Sequence, residues 1–120
     1  MVEWKRCIIF TRYPEPGRTK TRLIPAVGEV GAADLQRRMT ERMVRRALVW
    51  AARGEARSVQ VCFEGGSVVL MSKWMKHAVG DQAVHVGLRP QASGGDLGEK
   101  MERALAEAFD EHCARALVVG

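Results

Sequence analysis

The sequence predicts an α/β fold in which a mainly parallel sheet carries helices on its faces. Three observations predict it. Short apolar runs rich in strand formers recur along the chain, longer stretches place apolar residues three and four apart, and the two kinds of segment alternate from strand to helix throughout. Alternation of this kind implies right-handed crossovers between parallel strands. Ligands of such sheets sit at the carboxyl ends of the strands, so the loop after the first strand is the first place to look for function.

The first strand is Lys5 to Phe10, ending in the compact run Cys7-Ile8-Ile9-Phe10. Two prolines and a glycine make residues 11–23 a loop, and Gly28 and Gly31 mark a second break. A long helix follows over about residues 32–53. Its apolar stripe is Ala32, Leu35, Met39, Met43, Ala47 and Trp50 or Ala51, and Arg37, Arg38, Glu41, Arg42, Arg45 and Arg46 fill the other face. Gly54 stops this helix. Ser58 to Phe63 alternates polar and apolar as a second strand, and Glu64-Gly65-Gly66 turns the chain. A helix over residues 67–79 has Ser67 as its N-cap. Gly80-Asp81 breaks it, and residues 83–88 read as a third strand. The loop Gln91-Ala92-Ser93-Gly94-Gly95 leads to a helix over about residues 96–113, with Asp96 as cap and Glu99 reaching back. Its stripe is Leu97, Met101, Leu105 and Ala108, and Ala116 to Val119 is the last strand.

One domain of 120 residues is expected, and its 47% hydrophobic content excludes a disordered chain. No apolar run approaches the ~20 residues of a membrane span, and the start of the chain lacks a signal core. Cys7, Cys62 and Cys113 show no CxxC spacing and read as reduced thiols buried in a cytoplasmic protein. His77, His85 and His112 are scattered and hold no metal. Trp4, Trp50 and Trp74 lie on or beside apolar stripes, as core residues. The net charge is +5, unevenly placed: residues 1–60 carry 13 basic and 6 acidic side chains, a balance of +7. A basic half implies an anionic partner: nucleic acid, a membrane surface or a phosphorylated small molecule. The Arg-rich helix face has no interleaved aromatics and reads as solvated, which leaves nucleic acid and membrane out.

Residues 11–23 hold Arg12, Arg18, Lys20 and Arg22 against a single acid, Glu15. Four cations in a loop stiffened by proline and glycine, at the mouth of a parallel sheet, suit a di- or triphosphate. Gly17 lets the backbone approach the phosphate, and the cations neutralise it. A solvated basic loop is the competing reading. A Walker A loop is excluded, because Pro14 and Thr19 stand where its two glycines belong.

The segment Phe10-Thr11-Arg12-Tyr13-Pro14-Glu15-Pro16-Gly17-Arg18-Thr19-Lys20-Thr21-Arg22-Leu23-Ile24-Pro25 resembles the opening signature of a bacterial family of glycosyltransferase-like proteins. That family lies in the nucleotide-diphospho-sugar transferase superfamily, with the Rossmann-like, three-layer GT-A fold, and some members are associated with arsenosugar biosynthesis. Gln91 followed by Gly94-Gly95-Asp96-Leu97-Gly98-Glu99-Lys100-Met101 resembles its second signature. By the first loop, the molybdenum-cofactor and 2-phospholactate guanylyltransferases are more distantly similar. The resemblance implies that Arg12, Gly17, Arg18, Lys20 and Arg22 contact the phosphates of a nucleotide or nucleotide-sugar. It implies that Gly94, Gly95 and Asp96 lie near sugar or base.

The resemblance also implies a divalent metal, Mg or Mn, held by an acidic motif that follows the last strand. This chain stops at Gly120, the first position of that motif. The metal ligand is therefore outside it, and the chain reads as the N-terminal, nucleotide-binding part of a longer protein. Two functions follow as expectations. One is a metal-dependent nucleotide-sugar transferase, with nucleotidyl transfer as the nearest variant. The other is a catalytically silent module that binds nucleotide or forms a homo-oligomer through its exposed sheet edge.

Overall fold

The structure, a computed structural model, describes residues 3–120. Four strands and three helices alternate along it: β1 (Trp4–Arg12), α1 (Ile24–Ala52), β2 (Arg57–Glu64), α2 (Val68–Val79), β3 (Val86–Pro90), α3 (Leu97–Asp110) and β4 (Cys113–Val119). The strands form one sheet in the order β3-β2-β1-β4, every pairing parallel. This is the α/β fold that the alternation predicts. The order reverses between β1 and β4, so the switch point, where such sheets open a crevice, lies at the end of β1.

Successive side chains of β1 divide between two cores, as a strand requires. Ile9 enters one face with Val44 and Leu48 of α1 and Met71, Trp74 and Met75 of α2. Ile8 and Phe10 enter the other face with Ala104 and Ala108 of α3. Helices thus cover both faces, two against one. No helix among the described residues is long and apolar enough to cross a membrane.

The element bounds differ from expectation in instructive ways. The long helix begins at Ile24, eight residues early, with Pro25 in its first turn, and is interrupted at Gly28 (φ 78°, ψ 168°). Gly28 is therefore the break that the sequence predicts, whereas Gly31 lies inside the helix. The predicted stripe of α1 holds in part: Ala32 and Ala47 are buried and Met43 and Ala51 pack against the core, but Leu35 and Met39 are exposed, and Ala33, Thr40, Val44 and Leu48 join the buried face. Glu41, expected on the solvent face, is buried beside Arg37 and Arg45. The third strand starts at Val86, because residues 80–85 take a 3-10 turn. Cys113 opens β4 rather than closing α3. Of the tryptophans, only Trp74 is core. Trp4 is 49% exposed at the start of β1, and half-buried Trp50 carries the Arg57 guanidinium 5.1 Å from its ring centre.

Two of the predicted caps are made. The Ser67 hydroxyl accepts a hydrogen bond from the Leu70 N–H (3.2 Å), and the Asp96 carboxylate accepts one from the Glu99 N–H (2.9 Å). The three cysteines are free thiols. Cys62 and Cys113 are buried and Cys7 is half-buried, and burial pushes the Cys62 thiol up to about 11, so it stays protonated at neutral pH.

Candidate functional site

The loop between β1 and α1 leaves the carboxyl end of the central strand. Its shape is set by Thr19, which is 1% exposed. The Thr19 hydroxyl accepts from the Glu15 N–H (2.9 Å) and donates to the Tyr13 carbonyl (3.1 Å). Arg18 N–H bonds back to the Glu15 carbonyl at 3.1 Å, and Leu23 N–H to the Lys20 carbonyl at 2.9 Å, where the chain enters a 3-10 turn over Thr21–Leu23. Gly17 has φ 85°, in the left-handed region open to glycine at little cost. A methyl group there would also meet the Glu29 carboxylate at 3.4 Å.

Below the loop, polar side chains tie the strand ends together. Thr11 and Thr40 hydroxyls are 2.7 Å apart, and the Gln36 amide donates to Thr11 at 2.7 Å. The Gln91 amide donates to the carbonyls of Thr11 (3.2 Å) and Cys62 (3.3 Å), while its own N–H bonds the Phe63 carbonyl (2.8 Å). Gln91 thereby fixes the loop before α3 against both β1 and β2. Buried polar groups satisfied in this way hold one geometry.

Above this floor lie two hollows. The larger, of about 750 Å³, is lined by Arg12, Arg18, Lys20, Arg22, Leu23 and Leu97. The second, of about 440 Å³, lies over the ends of β2 and β3 and is lined by residues 63–68, residues 90–94 and Lys100. Arg12 of the first hollow and Glu64 of the second are partners in strand register, with an ion pair of 3.6 Å between them. The first turn of α3 also separates the hollows, with Leu97 facing one and Gly94, just before the helix, facing the other.

The four predicted cations therefore converge on one hollow. Two of them have acidic partners: Arg12 pairs with Glu64, and Arg18 with Glu15 at 3.5 Å. Lys20 and Arg22 make no ion pair among the described residues. Gly17 shapes the loop without lining the hollow. Gly95 and Asp96 line neither hollow: Gly95 lies against the Glu99 side chain, and the Asp96 carboxylate caps α3. Thr19, Gln91, Glu64, Leu23 and Leu97 shape or line the site, although the sequence predicts no site role for them. For Gln91 a signal existed, since it stands three residues before Gly94-Gly95 in the second signature.

A parallel sheet in this order, with a basic loop at the carboxyl end of an interior strand, defines an α/β chain of Rossmann-like architecture. Among solved structures, the chain is similar to a protein of Desulfovibrio desulfuricans G20 assigned as a nucleotide-diphospho-sugar transferase. The two share 32% sequence identity at a TM-score of 0.75, over 99% of this chain and 47% of the other. The likeness supports the superfamily to which the two signatures point, and the chain spans about half the length of that relative. No family model matches the sequence, and no curated protein matches it.

Proposed function

We propose that this chain binds the diphosphate of a nucleotide-diphospho-sugar and is the nucleotide-binding part of a glycosyltransferase-like protein. The observation that carries the reading is the convergence of Arg12, Arg18, Lys20 and Arg22 on one hollow at the switch point of the sheet. Lys20 and Arg22, without acidic partners among the described residues, are the first contacts for an incoming phosphate. Arg12 and Arg18 exchange Glu64 and Glu15 for phosphate oxygens. Exposed ion pairs contribute only ~0–1 kcal/mol, so the exchange costs little, whereas charge-assisted bonds to a phosphate contribute about 1.5–3 kcal/mol each. The second hollow, beside Gly94, has room for the base or the sugar.

The superfamily resemblance implies a divalent ion on the diphosphate. Among the described residues no three His, Cys, Asp or Glu side chains come together as a metal-holding group. Asp96 is engaged as a helix cap. The role proposed for the residues of this chain is to bind and orient the phosphates.

Titration calorimetry with pyrophosphate, UDP and GDP tests the reading. Wild type is expected to bind at least one of them, and Lys20→Ala and Arg22→Ala are each expected to weaken that binding about tenfold. Unchanged affinity in both variants would remove the loop from the site.

A further inference from the structure

We infer that Leu23 and Leu97 form an apolar wall of the larger hollow, against which the organic end of the phosphorylated ligand lies. The inference rests on the loop being a phosphate site, and adds what the rest of the ligand must be. Leu97 is expected in the apolar stripe of α3, yet it is 57% exposed, and Leu23 is 38% exposed. Both reach the hollow that Arg12, Arg18, Lys20 and Arg22 surround. Leu97 is the first residue of α3, one past the Asp96 cap, whereas the helix meets the core further along, at Ala104 and Ala108. Core packing therefore does not account for a leucine there. A single exposed leucine needs no explanation, but here two lie in one hollow among four cations.

The hollow, of about 750 Å³, is in the range of pockets for whole small molecules, ~300–1,000 Å³. It holds more than a diphosphate. A hollow lined by both cations and leucines selects a phosphate ester whose organic group has an apolar face, as the C–H face of a sugar ring or the flat face of a base does. Inorganic phosphates would use only the cations.

The test compares Leu97→Ser, Leu23→Ser and the double variant with wild type. The probes are pyrophosphate, UDP, GDP, UDP-glucose and GDP-mannose, read by calorimetry and by melting temperature. Wild type is expected to bind a nucleotide more tightly than pyrophosphate. Each single variant is expected to lose affinity for the nucleotide several-fold, and the pair on the order of tenfold. Pyrophosphate affinity and melting temperature should stay unchanged, and Leu97→Met should retain wild-type affinity. If the serine variants bind nucleotides as wild type does, or lose pyrophosphate equally, the wall is overturned while the phosphate loop stands. If wild type binds none of the probes, the loop and the wall fall together.

Discussion

At residue 19 the chain carries a threonine to which the opening signature assigns no role, and the loop depends on it. Its hydroxyl is both acceptor for Glu15 and donor to Tyr13, and the residue is buried. Thr19→Val removes the acceptor for the Glu15 N–H and the donor to the Tyr13 carbonyl, two part-buried hydrogen bonds of about 0.5–1.5 kcal/mol each. Thermal unfolding is expected to show a loss of that order for the valine variant and little for Thr19→Ser. A melting temperature unchanged by valine would mean that the loop is held by other contacts. The cations of the same loop were legible in the sequence, because charge type and position relative to a strand end are local properties. Thr19 was not legible, because its burial depends on how residues 13–23 fold back on themselves. Leu97 misled for a related reason: helical spacing assigns a face to a residue but does not say how far along the helix the core extends.

At the scale of elements, spacing located α1 and part of its buried face, and misplaced Leu35 and Met39. The stripe through Leu35 and Met39 has the right period, yet the helix packs on the face through Thr40 and Val44. Thr40 is polar and drops out of any apolar pattern, but it is satisfied by Thr11 and Gln36. The join of α3 to the sheet is sensitive to pH. Arg89 of β3 reaches Glu107 at 2.6 Å and Glu111 at 2.9 Å, and Arg6 of β1 reaches Glu111 at 3.4 Å. The hydrogen bond from Arg89, then that from Arg6, holds the Glu111 carboxyl below its usual range. A carboxyl lowered in the folded state adds stability above its unfolded pKa and loses it as pH falls through the folded pKa. Glu111→Gln is therefore expected to melt lower than wild type at neutral pH, with the gap closing below the ordinary carboxylate range. A gap independent of pH between 3 and 7 would show that the ion cluster does not contribute.

For the whole molecule, the alternation of elements announced a parallel sheet, but not which strands are neighbours. β1 lies between β2 and β4, and Arg12 faces Glu64 only because β1 and β2 run in that register. Pairings across 50 residues and more have no local signature. The arrangement predicts a gradient of amide exchange. β1 and β2, paired on both sides, should be the slowest to exchange, with β3 and β4 faster as the two edges of the sheet. Hydrogen exchange followed by mass spectrometry reads this directly, and protection of β4 equal to that of β1 would show its edge covered in solution. Such covering is what self-association through the edge would produce.

Lys20, at the centre of the basic loop, has a left-handed backbone with φ 46°. For a residue with a side chain that conformation costs roughly 1–2 kcal/mol. The cost falls on folding, where the packed sheet and the Thr19 bonds offset it. It does not recur when a ligand arrives, because the ammonium group already projects from the turn that presents it. The loop thus draws on the stability of the domain to arrive preorganised, and the phosphate affinity proposed for it is to that extent a property of the sheet beneath it.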